Sequence, residues 1–138
     1  FYVRDLERSV QFYAEVVGLS VKGNIFDNRG AILIGGRTHH ELLLIEVGEA
    51  NGPPTGKRIG LYHVGWKIGD AIEDLRKKYQ QLLDMNYPLD GMSDHMVSQS
   101  LYLRDPDGNE LELYVDNPEV DWRTDLSWLD APVRPLKL

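Results

Sequence analysis

The chain has 138 residues, a formal net charge of -7 at pH 7 and no cysteine. That length suits one ordinary domain with a real core, and the acidic balance argues against non-specific binding to nucleic acid. The lack of cysteine excludes disulfides, thiolate nucleophiles and thiolate metal sites, so a metal would need His and carboxylate ligands. No apolar run approaches membrane-spanning length and no signal peptide is visible, so no membrane partner is expected and the cytoplasm is.

Residues 1–3 read as the end of an apolar strand that begins before Phe1. Asp5 can cap a helix over 6–17, in which Leu6, Val10, Tyr13 and Val17 form a stripe. Gly18 ends it. Residues 19–26 and 31–34 read as strands around an Asp-Asn-Arg-Gly turn, and 39–47 as a third strand after the turn 35–38. The run 48–57, GEANGPPTGK, has no periodicity and is the candidate linker. A strand over 59–68 carrying His63, a helix over 70–85 and a short strand or loop over 89–95 follow. Asp105-Pro106-Asp107-Gly108 is turn chemistry, so 99–104 and 110–115 read as an antiparallel hairpin. The tail after 116 holds Trp122, Trp128 and several prolines, and it is too Pro-rich for a regular element.

The order is β-α-β-β-β, a linker, then β-α-β-β-β. An offset of 69 residues lays Ile32-Leu33-Ile34 on Leu101-Tyr102-Leu103, and Glu41-Leu42-Leu43-Leu44 on Glu110-Leu111-Glu112-Leu113. The fold class expected is α+β, with two tandem βαβββ motifs forming a curved mixed sheet around a cleft. One domain over 1–118 would comprise halves of about 1–50 and 57–118. The tail 119–138 would pack on that domain or on a partner, and a homodimer is the default.

Four histidines offer metal or proton chemistry: His39, His40, His63 and His95. Alternation puts His63 on the polar face of its strand with Lys67, and Glu112 on the less apolar face of the last strand. Two His and one carboxylate would make the open facial set that suits non-haem Fe(II). Each residue alone also has an ordinary reading, as a satisfied strand His or a solvated Glu.

The repeated pattern, DLERSVQFYAEVVGL near the start and DPDGNELELYV near the end, resembles the vicinal-oxygen-chelate superfamily of glyoxalases, resistance-type binding proteins and type I extradiol dioxygenases. The run DHMVSQSLYLRDPDGNELE is similar to the extradiol dioxygenase signature, and GLYHVGW strengthens the likeness to catechol 2,3-dioxygenase-like proteins. The resemblance implies that Glu112 and His63 are metal ligands and that His95 and Tyr102 stand beside the metal. It matches His40, in Arg37-Thr38-His39-His40, to a proton-transfer group. A further metal His of the family falls at a place before Phe1. The reaction implied is ring cleavage of a catechol-like aromatic diol by O2, with Fe(II), or alternatively Mn(II). Ile45, Trp66 or the tail tryptophans could wall an aromatic ring.

Two other functions stand beside it. One is a metal-free module that binds a small planar ligand. The other is a glyoxalase-like lyase or isomerase using Zn or Ni, which needs a fourth ligand. The place matching Glu112 in the first half is Leu43, so only Glu41 could supply that carboxylate.

Overall fold

A computed structural model of the chain describes residues 1–57 and 59–138. The chain divides into two compact units, 1–59 with 105–109, and 60–104 with 110–138. Both follow the expected β-α-β-β-β order.

In the first unit β1 (Tyr2–Val3) leads to α1 (Leu6–Phe12), then β2 (Ser20–Ile25), β3 (Gly30–Ile34) and β4 (Leu42–Glu46). The strand order is β1-β4-β3-β2, with β1 parallel to β4 and the other pairs antiparallel. Asp5 caps α1 by accepting from the Arg8 N–H at 2.9 Å. The helix runs on not as α but as a π-helical turn over Tyr13–Val17. Gly18, at φ 96°, stops it, and its N–H reaches the Tyr13 carbonyl at 3.1 Å. Val3, Phe12, Tyr13, Val16, Leu33 and Leu44 make the core.

Asp105, at the start of the Asp-Pro-Asp-Gly turn, is buried in this unit. Its carboxylate accepts from the N–H groups of Asp107 and Asn109, from the Asn109 side chain and from the Tyr13 hydroxyl at 2.8 Å. The turn is therefore nailed to the first helical segment by one charged group, and all its bonds are charge-assisted.

In the second unit β5 (Val64–Gly69), α2 (Ile72–Asp84), β6 (Gly91–Asp94), β7 (Ser98–Arg104) and β8 (Glu110–Asp116) repeat the scheme. The order is β5-β8-β7-β6-β9, where β9 is Arg134–Pro135. Again the outer β5 runs parallel to β8, and β6, β7 and β8 pair antiparallel. Asp74 reaches back to the N–H groups of Asp70 and Ala71 and so closes the start of α2. Gly69 has to be glycine, because a Cβ there would overlap the Asp74 side chain. The helix buries Leu75 and Leu82 against β7 and β8, whose Leu101, Leu103, Leu111, Leu113 and Val115 are fully buried. Each such side chain contributes about 1.5–3 kcal/mol.

Three expectations are corrected. The strand expected over 59–68 starts only at Val64, where pairing with Leu111 begins; Gly60, at φ 144°, breaks the extended run before it. The strand expected over 39–47 starts at Leu42, because Glu41 folds its carboxylate back onto the N–H groups of Gly35 and Gly36 and holds His39 and His40 in the turn. The tail is not free of regular structure: Ser127–Asp130 is a 3-10 turn, and Pro135 and Arg134 pair with Ser93 and Asp94 of β6. Among the described residues no helix is long and apolar enough to cross a membrane.

Candidate metal centre

In the second unit β7 and β8 lie in a register that opposes Tyr102 to Glu112, Ser100 to Tyr114 and Arg104 to Glu110. Directly opposed residues share a face. Ser100, Tyr102 and Arg104 thus stand with Glu110, Glu112 and Tyr114 on the side away from the buried leucines. Gly65 of β5 lies beside Glu112 and adds no side chain to that face.

Glu112 is the hub. Its Oε1 accepts from the Ser100 hydroxyl at 2.6 Å and the Tyr102 hydroxyl at 3.0 Å. With Oε1 so occupied, Oε2 points at Nε2 of His63, 3.1 Å away. His63 sits immediately before β5 rather than in mid-strand, and the parallel register of β5 with β8 delivers it there. The Tyr62 ring lies against the imidazole, centroids 4.3 Å apart.

His95 comes from the β6–β7 connection. Asp94 accepts from the Met96 N–H at 2.7 Å, Met96 takes a φ of 69°, and the Asn117 side chain donates to the Met96 carbonyl at 2.9 Å. This tight turn sets Nε2 of His95 2.7 Å from the Tyr102 hydroxyl. The phenol has one proton, which goes to Glu112, so the matching arrangement has His95 Nε2–H donating to the phenol oxygen. Burial, then the charge of Glu112 and the hydrogen bond to it, hold the Tyr102 pKa well above the usual phenol range. Tyr102 stays a neutral donor.

The donors fit a divalent cation in kind and spacing. Imidazole nitrogen and carboxylate oxygen suit iron or manganese as well as zinc. His63 Nε2 and Glu112 Oε2 stand 3.1 Å apart, near enough for one cation, or one proton, to lie between them. Two donors gather here; among the described residues no group of three His or carboxylate side chains is close enough to hold an ion.

His63, Glu112, Tyr102 and His95 thus come together within one unit. His40 lies in the first unit, exposed, its ring 6.2 Å from that of His39. Glu41 is engaged by its own turn: burial works against its charge, but the N–H groups of Gly35, Gly36 and Arg37 together with the Arg37 side chain hold its pKa below the usual value. Trp66 is not a wall for this face. It pairs with Leu113 and shares the leucine side of the sheet.

Ser100 and Glu110 escape a motif-based reading. Parity with Tyr102 and Glu112 could have flagged both, since each lies two residues from a marked position. Nothing local shows that a Ser is buried against a carboxylate.

The chain is 37% identical over 123 residues to the catechol-2,3-dioxygenase of Bacillus subtilis, covering 89% of this chain and 42% of that protein. It is 33% identical over 120 residues to biphenyl-2,3-diol 1,2-dioxygenase 3 of Rhodococcus globerulus, covering 81% of this chain and 58% of that one. The chain therefore spans about half the length of these curated relatives. The crystal structure of a glyoxalase/dioxygenase from Nostoc punctiforme superposes with a TM-score of 0.69 at 19% identity, over 85% of this chain and 87% of that one, which shows a common fold. Residues 1–113 match the model of the glyoxalase/bleomycin resistance protein/dioxygenase superfamily, and the chain belongs to that family.

Proposed function

We propose that the protein is an extradiol ring-cleavage dioxygenase that uses O2 to open a catechol-like aromatic diol. The observation that carries this reading is the connected set His63–Glu112–Tyr102–His95, in which an imidazole nitrogen and a carboxylate oxygen face each other at 3.1 Å and hydrogen bonds from Tyr102 and Ser100 hold the other carboxylate oxygen. The likeness to two proteins named as dioxygenases supports it. His63 and Glu112 would hold Fe(II), or Mn(II) in its place. Bound there, the ion would lower the pKa of diol oxygens and bring diol and O2 into one coordination sphere.

The protein's own groups have separate tasks. Ser100 and Tyr102 fix the carboxylate so that one oxygen alone is offered. To meet negative charge developing on the diol or on oxygen, Tyr102, kept neutral, and His95 would turn there the protons they now give to Glu112 and to the phenol oxygen. The family resemblance matches His40 to a proton acceptor from the diol; here it lies exposed in the first unit. The net change breaks the ring C–C bond next to the diol and places both oxygen atoms in the product.

The test is oxygen uptake and ring-fission absorbance with the full-length protein, Fe(II) and simple catechols. Turnover is expected in the wild type and none in His63→Ala or Glu112→Ala. A wild type that takes up about one Fe(II) per chain yet consumes no oxygen with any diol would sink the dioxygenase reading. A wild type that takes up no metal but binds planar aromatics would favour a resistance-type binding module.

A further inference from the structure

The ring nitrogen of His63 that faces away from Glu112 is an anomaly. Nδ1 is buried and has no hydrogen-bond partner. Buried polar atoms are nearly always paired, so an orphan calls for a cause. A carboxylate oxygen, Oε1 of Glu110, stands on that side at 3.9 Å, just beyond reach. The other oxygen of Glu110 accepts from Arg104 Nη2 at 2.9 Å, and Arg104 Nε donates to Asp90 at 2.7 Å. Glu110 is therefore anchored at one end and aimed at the orphan with the other.

Resting on the metal reading above, we infer that Glu110 is a positioning residue, which accepts a hydrogen bond from the Nδ1–H of His63 whenever Nε2 holds a cation. Neutral imidazole carries one proton. Without a cation that proton serves Nε2, whose neighbour is the Glu112 carboxylate at 3.1 Å. A cation needs the Nε2 lone pair, so the proton must sit on Nδ1. There it is buried and requires an acceptor. Glu110 closes the gap by moving about 1 Å, which turns 3.9 Å into an ordinary hydrogen bond. A carboxylate behind a ligating imidazole fixes the ring tautomer and strengthens the nitrogen as a donor. The Tyr62 ring lies against this imidazole, centroids 4.3 Å apart.

The chemistry makes Glu110→Gln a sharp probe. The side chain keeps its shape, and its amide oxygen stays with Arg104. That leaves the NH2 group facing Nδ1, which favours the wrong tautomer. Mn(II) titration followed by the resonance of the free ion, on the full-length protein, should show affinity falling about 10- to 100-fold. In the Zn(II)-loaded wild type, nitrogen-15 NMR of His63 should show a protonated Nδ1 and a zinc-bound Nε2. Arg104→Gln keeps the carboxylate but frees it, and should weaken Mn(II) in the same direction by less. If Glu110→Gln binds Mn(II) as tightly as the wild type, or if zinc sits on Nδ1, the assignment of Glu110 is overturned while the metal centre stands. If the wild type itself takes up no Mn(II), both fall.

Discussion

The two units build the same four-stranded order, with the same pairing directions, and yet they present opposite chemistry on one face. In the first, Ile32 opposes Leu43; in the second, Tyr102 opposes Glu112. Burial fixes the correspondence. Ala31 and Leu33 are the buried pair that matches Leu101 and Leu103, and Leu42 and Leu44 match Leu111 and Leu113. The single offset of 69 is thereby corrected to 69 on the last strand of each unit and 70 on the one before it, because 35–41 between Ile34 and Leu42 is one residue longer than 105–110 between Arg104 and Leu111. On this alignment Ile32 stands where Tyr102 does, and Leu43 where Glu112 does. The scaffold is duplicated and the reactive groups are not. Core leucines specify the sheet, while the other face is free to differ, since alternation separates the two.

The strongest way to break that contrast is to copy the first unit into the second. Tyr102→Ile with Glu112→Leu should leave circular dichroism and cooperative melting intact, because both changes lie on the face away from the core. Metal uptake and ring cleavage should vanish. A double variant that still binds Fe(II) at wild-type stoichiometry would place the metal elsewhere. Ser100→Ala tests a subtler part of the same contrast. Losing the 2.6 Å bond to Glu112 lets the carboxylate turn its free oxygen away from His63. Mn(II) affinity should fall about 10-fold, the lower end for a group that orients a ligand, and Glu112→Gln, which loses the charge itself, should cost more.

The scaffold half of the contrast has its own test in Asp105. Its carboxylate accepts several bonds in a buried setting, and Tyr13 donates one of them. Asp105→Ala should destabilise the protein by about 2–3 kcal/mol, since hydrogen bonds to a buried charge carry about that weight. Urea denaturation measures it; a change under about 0.5 kcal/mol would mean the turn holds without its anchor.

What the sequence disclosed divides along the same line. Turn chemistry, periodicity and the repeat are local signals. They disclosed the element order, the hairpin and the outward face of Glu112; Tyr102 is marked by the resemblance, while the single offset of 69 lays it on the buried Leu33. Two misses are local, the start of β4 set by Glu41 on Gly35 and Gly36 and the break at Gly60, and the others are long-range. The early start assigned to β5 came from counting Ile59 to Tyr62 as strand when they have no ladder partner. The π-helical turn opens at Tyr13, whose buried hydroxyl bonds Asp105 far along the chain. The two-residue β9 exists only because β6 leaves an edge for it. Ser100 reads as a strand residue until its hydroxyl is seen against Glu112. His40 shows the converse: its motif is readable, and the turn closed by Glu41 decides where it sits.

Glu41 supplies the smallest expected effect and the finest discrimination. It is the carboxylate nearest in sequence to Leu43, and a site with a ligand from each unit would need it. Its oxygens are instead spent on Gly35, Gly36 and Arg37. Glu41→Gln should therefore leave Mn(II) affinity within experimental error and lower the melting temperature slightly at neutral pH. The sign with pH follows from its lowered pKa. A group ionised more readily in the folded state stabilises it above the unfolded pKa, and that contribution is lost as pH falls through the folded value. The melting difference between wild type and Glu41→Gln should thus be full at pH 7 and shrink below about pH 4.5. If metal affinity moved instead, the carboxylate of the turn would be a ligand, and the contrast between an inert first face and a reactive second one would be false.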